Sequence, residues 1–421
     1  MCGIAGAVGL TPDARPDVER VRAMSCRIAH RGPDGEGVWV SPSGRAVLAH
    51  RRLSIIDIET GQQPMVDAES GGTRALVFNG EVYNYRELRD ALRGQGAHFR
   101  TESDTEVLLR LVARDGAGAV DALRGMFAFI AWDDVRGELV VARDRVGKKP
   151  LFYVEDGGCL YFASSLRALR ETAPAELTID REALALYLAL GYIPAPYTIY
   201  TRVRKLPAAH VATLAGGALR ARRFWDLAPE DPPFEGTYEQ ALDALEERLG
   251  TAVEIRLRSD VPLGVFLSGG IDSSLIAALA ARHAGAPVAT FSIGFDDQAF
   301  DESPFAAEVA RHLGAEHHLF RVHADVQQLL PQLVWHFGEP YADSSALPTW
   351  VLAEQTRRHV VVALGGDGGD EGFAGYEWYG TAARLGRLSR RVPAAAAAAG
   401  ARVLDRYAGP DGSGAGPGAR K

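Results

Sequence analysis

A strand, a glycine-containing turn and a helix follow one another at residues 261–282, and this feature restricts the fold of the chain most. The apolar segment VPLGVFL at 261–267 is typical of a buried strand, the turn SGGIDSS occupies 268–274, and helical spacing of apolar residues begins at Leu275. Strand-like and helix-like segments then alternate to about residue 364. This alternation predicts a doubly wound α/β domain, with a parallel sheet covered by helices.

The turn at 268–274 has the features of an anion-binding site. A glycine-containing loop that leads into a helix presents free backbone N–H groups and the positive end of the helix dipole to a ligand. The turn lacks the Gly-Lys-Ser/Thr sequence of ordinary NTPases. It resembles instead the pyrophosphate loop of ATP pyrophosphatases, which cleave ATP to AMP and pyrophosphate; a capped helix without a ligand is the alternative. The resemblance implies ATP as cofactor, bound by Leu267, Ser268, Gly269, Gly270, Asp272, Ser273, Ser274, Ile293, Gly365 and Gly366.

An acidic cluster, GGDGGDE at 365–371, follows the strand-like segment at 360–364. Loops at the carboxyl ends of parallel strands are where open α/β sheets bind ligands. Carboxylate oxygens are the ligands that Mg²⁺ prefers, so Asp272 and Asp370 are predicted to hold Mg²⁺ on the phosphates of ATP. A capped, solvated turn is the alternative for this cluster.

The start of the chain carries a second kind of chemistry. Cys2 follows Met1, and a small residue at this position permits removal of the methionine. Cys2 would then carry a free α-amino group, whose reference pKa of about 7.7–8.0 suits it to accept the thiol proton. Nucleophile and base would share one residue, as in N-terminal-nucleophile hydrolases. An ordinary thiol is the alternative for a Met-Cys-Gly start considered by itself.

Five further segments follow Cys2 in order: HRGPD at 30–34, HRRLSI at 50–55, FNGEVYN at 78–84, ESDTE at 102–106 and RDRVGKKPL at 143–151. Together they resemble the class II glutamine amidotransferase domain over nearly all of residues 1–165. The resemblance implies that Cys2 attacks the side-chain amide of glutamine. It further implies that Asn79 and Gly80 stabilise the oxyanion, that Arg52 binds the α-carboxylate, and that Glu81 and Asp104 bind the α-ammonium group.

A class II glutaminase joined to a pyrophosphate loop resembles the glutamine-hydrolysing asparagine synthetase family, as does GEPYADSSALPT at 338–349. The resemblance extends to about Tyr379. It implies that glutamine supplies ammonia, that ATP adenylates aspartate with release of pyrophosphate, and that ammonia displaces AMP to give asparagine. Asp367 stands where the family has an acidic residue that handles protons during the attack. A homodimer is also implied.

The resemblance further implies an α+β sandwich with helix, sheet, sheet and helix layers (αββα), followed by the α/β pyrophosphate-loop domain. The predicted domains are a glutaminase at 1–225, a linker rich in Pro, Asp and Glu at 226–237, and a synthetase at 238–421. The family continues through a further helical region, so we expect the synthetase domain to be truncated, with a poorly ordered end at 409–421. Departures from the family pattern are Gly365 in place of Ser, Gly338 in place of an acidic residue and Ser165 in place of Glu.

Composition and charge disfavour several classes of binding partner and several kinds of structure. The formal net charge is -8, which disfavours a protein that works by neutralising nucleic-acid phosphates. No apolar run approaches the length of a membrane span, and the N-terminal residues do not resemble a signal peptide. The three cysteines have no CxxC spacing, which disfavours a metal cluster or a disulfide framework. A cytoplasmic enzyme acting on small molecules is the expectation.

Two other functions fit these patterns. The first uses the same chemistry on another carboxylate, such as a precursor of a polysaccharide or a natural product. The second is a glutaminase or nucleotide-binding protein with an inactive synthetase half; the intact pyrophosphate loop disfavours it and the short C-terminal part favours it. Phosphoribosyl-type amidotransferases should lack the pyrophosphate loop, and β-lactam-forming synthetases should lack Cys2.

Overall fold

A computed structural model describes residues 1–67, 73–173, 177–227, 232–298, 301–321 and 326–389. The predicted linker at 226–237 is therefore described only at its two ends. The predicted poorly ordered end at 409–421, and everything else after residue 389, lies outside the described residues. No helix in the described ranges is long and apolar enough to cross a membrane.

The first half of the chain is built mainly from antiparallel strands. The helices are α1 (Val18–Arg27), α2 (Tyr85–Gly94), α3 (Asp104–Asp115), α4 (Leu166–Glu171) and α5 (Arg181–Leu190), with short 3-10 helices at Ala29–Arg31 and Gly116–Ala122. The strands are β1 (Gly3–Gly9), β2 (Gly35–Val40), β3 (Ala46–Arg52), β4 (Met65–Val66), β5 (Arg74–Val82), β6 (Gly125–Asp133), β7 (Glu138–Arg143), β8 (Phe152–Asp156), β9 (Cys159–Ala163), β10 (Arg204–Lys205), β11 (His210–Ala215) and β12 (Ala218–Arg223).

These strands form two sheets that pack face to face. In the described part of the chain, one sheet has the order β10-β8-β9-β1-β3-β2 and the other β12-β11-β7-β6-β5-β4. Because side chains alternate along a strand, Ile4 of β1 and Val77 of β5 meet in the core between the sheets. Ala5 faces α1 and α4 on one side, and Phe78 faces α3 on the other. The predicted αββα sandwich is confirmed.

The second half is an α/β domain. Its helices are α6 (Tyr238–Arg256), α7 (Ile271–Ala284), α8 (Ser303–Leu313), α9 (Val326–Phe337), α10 (Ala346–Thr356), α11 (Gly369–Phe373) and α12 (Glu377–Ser389). Its strands are β13 (Leu263–Phe266), β14 (Ala289–Gly294), β15 (Glu316–Arg321) and β16 (Val362–Leu364), and they pair in parallel in the order β15-β14-β13-β16. The predicted parallel sheet is confirmed. Its central strand β13 leads directly into the turn at 268–274, which places that turn at the carboxyl edge of the sheet.

Candidate active sites

The residues predicted to act on glutamine line one cavity of about 270 Å³. They reach it from the residue before β1, the end of β3, the second half of β5 and the first turn of α3. In the pairing of β5 with β6, Asn79 lies opposite Ala128 and Gly80 opposite Phe127. The predicted residues that line this cavity are Cys2, Arg52, Asn79, Gly80, Glu81 and Asp104.

Cys2 is fixed by its neighbours at the edge of the cavity. The backbone N–H of Leu53 donates to the sulfur at 3.4 Å, and the Nε–H of Arg31 donates to the Cys2 carbonyl at 3.2 Å. Burial raises the pKa of the Cys2 thiol, and the hydrogen bond with Leu53 opposes this rise. Since the thiolate is the reactive form, the thiol needs a base at neutral pH.

The α-amino group of Met1 lies in a desolvated environment, although the Met1 side chain is exposed. Burial of this amine, together with the charges of Arg31 and Lys149, lowers its pKa to about 5. The amine is therefore neutral at pH 7 and able to accept a proton. It belongs to Met1 in this chain, and removal of Met1 would transfer the terminal amine to Cys2.

Asn79 and Gly80 have the features of an oxyanion site. Asn79 is fully buried, and neither its Nδ2 nor its Oδ1 has a hydrogen-bond partner among the described residues. A buried amide without partners is costly, so this side chain is suited to an incoming ligand. Gly80 admits no side chain, because a Cβ would lie 2.0 Å from the Met126 carbonyl oxygen. The backbone at Gly80 can therefore come close to a substrate.

Two buried carboxyl groups stand beside this pair. Ser103 caps α3, which places Asp104 in the first helical turn, and Asp104 Oδ2 accepts the Val82 backbone N–H at 3.0 Å. Burial raises the pKa of Asp104 to about 6. Burial and the nearby charge of Asp104 raise the pKa of Glu81 to about 7, and Lys149 opposes this rise. A bound ammonium group would favour the charged form of both carboxyls.

Lys149 is a cavity residue to which sequence analysis gave no role. It is buried, and desolvation lowers the pKa of its ammonium group. Asp144 holds the loop before it: one carboxylate oxygen accepts the backbone N–H groups of Val146 and Lys148, and the other accepts those of Phe127 and Lys149. The segment RDRVGKKPL therefore serves to place a cation beside Glu81 and Cys2.

Arg52 lines the cavity, but its guanidinium is largely engaged. Nη1 donates to the Ile58 carbonyl at 2.8 Å, and Nη2 donates to the carbonyls of Ile56 and Asp57. Three of the five donors of the guanidinium are thus used to hold the loop that follows β3. The predicted contact of Arg52 with a glutamine carboxylate has to use the remaining donors.

A second, larger cavity of about 890 Å³ lies at the carboxyl edge of the parallel sheet. The predicted residues that line it are Leu267, Ser268, Gly270, Asp272, Ser273, Ile293, Gly365, Gly366, Asp367 and Asp370. Gly269 and Ser274 were also predicted to bind ATP, and they do not line it. Gly269 (φ +88°) is pressed against the backbone of α8, where a Cβ would lie 2.6 Å from Ala306 N, and Ser274 continues the first turn of α7.

The turn at 268–274 is held by its own serines. The Ser268 backbone N–H donates to Ser273 Oγ at 3.2 Å, the two hydroxyls lie 2.9 Å apart, and the Gly270 N–H donates to Ser268 Oγ at 3.2 Å. Ser273 Oγ also donates to the Gly270 carbonyl at 3.2 Å. The turn thus has a fixed shape without a ligand, which reduces the ordering cost of binding an anion.

The acidic residues of this cavity fit a shared magnesium ion. Asp272 lies against the loop 366–369, where a Cβ on Gly369 would come 2.3 Å from its carboxylate. Among the described residues, neither Asp272 nor Asp370 has a hydrogen-bond or ion-pair partner for its carboxylate, and no group of three or more metal-ligating side chains occurs. Magnesium is commonly bound by one or two carboxylates together with substrate phosphates, so this donor set is compatible with it.

One segment of the chain contributes to both cavities: β16 lines the first, and the loop that follows it lines the second. Val361, Val362 and Ala363 complete the wall of the glutamine cavity, although they belong to the second half of the chain. Gly365, Gly366 and Asp367, which follow on the same strand end, line the nucleotide cavity. At about 3.3 Å per residue, only roughly 10 Å of backbone separates Ala363 from Gly366.

Family models match both halves of the chain. Residues 1–225 match the glutamine amidotransferase domain, and residues 244–415 match asparagine synthase. The chain is 38% identical over 373 residues to asparagine synthetase [glutamine-hydrolyzing] 1 of Bacillus subtilis, a match that covers 87% of this chain and 58% of the relative.

A protein of Methanocaldococcus jannaschii, provisionally named asparagine synthetase [glutamine-hydrolyzing] 2, is 35% identical over 390 residues, covering 87% of this chain and 74% of that protein. A Mycobacterium tuberculosis protein with the same provisional family name is 39% identical, over 87% of this chain and 59% of the relative. The chain thus spans less than two thirds of two of these three relatives. Because family models match both halves and the Methanocaldococcus jannaschii relative is covered over 74% of its length, the chain belongs to the glutamine-hydrolysing asparagine synthetase family.

Proposed function

We propose that this protein is a glutamine-dependent asparagine synthetase, which transfers ammonia from glutamine to aspartate at the expense of ATP. The observation that carries the proposal is the segment 361–371, in which Val362 and Ala363 of β16 line the glutamine cavity and the loop after β16 lines the nucleotide cavity. A free glutaminase would not need a nucleotide cavity so close to its own. The names of the relatives favour aspartate over another carboxylate as acceptor.

The glutaminase step uses the groups of the first cavity. After removal of Met1, the amine of Cys2 takes the thiol proton, and the sulfur attacks the side-chain carbonyl carbon of glutamine. Asn79 Nδ2 and the Gly80 backbone N–H donate to the oxyanion. The Cys2 amine returns its proton to the amide nitrogen, the C–N bond breaks, ammonia leaves and a thioester remains on Cys2. Water then hydrolyses the thioester to glutamate and restores the thiol.

Each charged group of the first cavity has a proposed role in binding glutamine. Glu81 and Asp104 would face the α-ammonium group, and the remaining donors of Arg52 would face the α-carboxylate. The cation of Lys149 keeps the cavity from accumulating negative charge when both carboxyls ionise. Ammonia formed here lies in a cavity lined by Val362 and Ala363, and Gly365 and Gly366 of the same segment line the second cavity.

The synthetase step uses the second cavity. A carboxylate oxygen of aspartate attacks the α-phosphorus of ATP, which forms an acyl-adenylate and releases pyrophosphate. Ammonia then attacks the acyl carbon and AMP leaves, and Asp367, which lines this cavity, would take the proton lost by the nitrogen. Backbone N–H groups of the turn at 268–274 would hold the phosphates, and Asp272 and Asp370 would hold Mg²⁺. That ion would neutralise the charge of the phosphates during the transfer.

The test measures pyrophosphate release from Mg-ATP and ammonium, with and without aspartate, and the formation of asparagine. We expect aspartate-dependent release with one asparagine per pyrophosphate. We also expect Cys2→Ala to lose synthesis from glutamine and to retain synthesis from ammonium. Pyrophosphate release without asparagine, or dependence on a different carboxylate, would contradict the choice of acceptor. Loss of both activities in Cys2→Ala would contradict two separate sites.

We further propose that the enzyme works in the cytoplasm. Cys2, Cys26 and Cys159 are all free, which suits a reducing compartment, and the proposed reaction consumes ATP. The homodimer is a prediction from the family resemblance, and sedimentation of the purified protein would test it.

A further inference from the structure

The loop between β3 and β4 forms one side of the glutamine cavity. We call residues 54–61 the glutamine loop. Ile55, Ile56 and Gly61 line the cavity directly. Loops that contact a substrate contribute to its affinity only when they are held in the binding conformation, because ordering them costs free energy on each binding event. What holds this loop therefore bears on how tightly glutamine binds.

Within the first half of the chain, Asp57 organises the turn of the glutamine loop. Its carboxylate accepts the Thr60 N–H at 3.0 Å, the Thr60 hydroxyl at 2.6 Å and the Glu102 N–H at 2.9 Å. Asp57 also adopts φ +52°, a left-handed conformation that is uncommon for residues other than glycine, although Asp adopts it more readily than most. Further contacts are thus expected to stabilise this conformation.

Such contacts come from the second half of the chain. The backbone N–H of Asp260 donates to the Ile55 carbonyl at 3.0 Å, and the backbone N–H of Asp57 donates to Asp260 Oδ2 at 2.7 Å. This reciprocal pair ties the loop to a residue that lies two positions before Pro262, at the entrance to β13. Eight residues after Asp260 the chain reaches Ser268, the start of the nucleotide turn.

Asp260 is itself fixed by contacts that do not involve the loop. Arg258 donates to the Tyr83 carbonyl at 2.8 Å and forms a two-pronged ion pair with Glu87 at 2.6 and 2.9 Å. The Pro262 carbonyl accepts the Val361 N–H at 3.1 Å, which joins the same segment to the residues that complete the glutamine cavity. The segment 258–262 is thus anchored on both sides of Asp260.

We propose that Asp260 is a positioning residue for glutamine, which acts from the synthetase half by accepting the Asp57 N–H and so holding the glutamine loop in its binding conformation. The inference rests on the proposed glutaminase activity. It adds to the residues that determine glutamine affinity one that lies outside the glutaminase half. Asp260 does not line the cavity, so it acts on the substrate only through the loop. Its removal should weaken glutamine binding and leave the chemistry at Cys2 intact.

The test compares three variants in glutaminase assays on the full chain. In Asp260→Ala the acceptor is lost, and we expect KM for glutamine to rise about fivefold with kcat unchanged, the effect of one exposed hydrogen bond. Asp260→Asn keeps an oxygen that can accept the Asp57 N–H, and its KM should stay close to that of the unaltered protein. Glu339→Gln weakens the ion pair of Glu339 with Lys205, a contact between the same two halves that involves neither the glutamine loop nor the segment 258–262, and its KM should not change.

Ammonium-dependent asparagine synthesis serves as the second readout, and we expect it to be unaffected by Asp260→Ala. Hydrogen exchange of the Asp57 amide should be faster in Asp260→Ala than in Asp260→Asn. Asp260→Ser replaces Asp260→Ala if the latter is insoluble, because its shorter side chain also falls short of the Asp57 N–H.

Equal KM values for Asp260→Ala and the unaltered protein would overturn the inference, as would equal impairment of Asp260→Asn and Asp260→Ala. An unaltered protein that hydrolyses no glutamine would instead refute the proposed function. The two failures are therefore distinguishable.

Discussion

Asn79→Ala tests the oxyanion role most directly, because the structure separates its catalytic effect from its structural effect. The Asn79 amide is fully buried, lines the glutamine cavity and has no hydrogen-bond partner among the described residues. Its truncation therefore breaks no hydrogen bond in the free protein. Any large loss of activity must come from a contact that the amide makes with the reacting substrate.

The expected size of the effect follows from what Asn79 contributes in the transition state and in the free protein. Removal of one oxyanion donor typically lowers kcat by about 10²–10³, or about 2.7–4 kcal/mol. In the free protein, truncation breaks no hydrogen bond with another described residue, so its cost is limited to the lost packing of a small side chain. We thus expect kcat for glutamine to fall by about two to three orders of magnitude, with little change in Tm.

Gln63→Ala is the matched control, since Gln63 is a second buried amide that lines the same cavity. Gln63 Oε1 accepts the Phe78 N–H at 2.7 Å, and its Nε2 donates to Thr105 Oγ1 at 3.2 Å. Truncation there leaves a buried N–H unsatisfied, which costs about 1–3 kcal/mol, so this variant should lose stability.

The assay is ammonia release from glutamine, with Tm by scanning fluorimetry and ammonium-dependent synthesis as a check on the second site. The reasoning is refuted if Asn79→Ala lowers Tm as much as Gln63→Ala does. It is also refuted if kcat of Asn79→Ala falls by less than about tenfold, because one oxyanion donor is worth more than that.

Three other outcomes are expected. Binding of glutamine to the Cys2→Ala protein should weaken as pH falls through about 7 and about 6, where Glu81 and Asp104 take up protons and lose their attraction for the ammonium group; calorimetry from pH 5 to 8 with no such change would contradict their role. Gly80→Ala should abolish glutaminase and lower Tm, since its Cβ would lie 2.0 Å from the Met126 carbonyl; a variant with normal kcat would contradict the close approach. Asp272→Asn should lose pyrophosphate release and keep glutaminase, and unchanged ATP turnover would remove Asp272 from the site.

Helices were predicted from sequence where apolar residues recur at helical spacing. The spacing in 105–113 predicts a helix, and α3 runs from Asp104 to Asp115. β1 was not predicted, because its sequence GIAGAVG consists mainly of Gly and Ala, which are depleted in strands. The apolar spacing at 238–257 predicts a strongly amphipathic helix, which is present as Tyr238–Arg256, but its buried residues, Gly250, Val253 and Ile255, all lie near its C-terminal end. The predicted strong amphipathic face is therefore only partly used.

Most residues of both candidate sites could be predicted from the sequence. Each belongs to a short segment whose combination of residue types is uncommon outside such sites. Lys149 could not be named, since the sequence RDRVGKK offers four basic side chains of similar character. Asp144 selects among them by accepting four backbone N–H groups, including that of Lys149. The sequence feature that points to this loop is Asp144, which precedes Gly147 in a glycine-containing segment. This pattern predicts a turn but does not show which basic side chain the turn buries.

The wall of the glutamine cavity at 361–363 and the role of Asp260 depend on how the two halves dock. The contacts that fix this docking, such as Arg258 with Glu87, involve exposed charges that look like ordinary surface residues in the sequence. The periodicity of apolar residues along the sequence indicates which side chains face the core of their own domain. It does not indicate which side chains contact another domain. Since the glutamine cavity is closed by β16 and its loop is held by Asp260, changes made in the synthetase half can alter glutamine affinity without touching a residue that contacts glutamine. Residues that couple the two sites are therefore expected among the polar groups of segment 258–262 that face the glutaminase half. Sequence patterns alone do not distinguish these residues from ordinary surface residues.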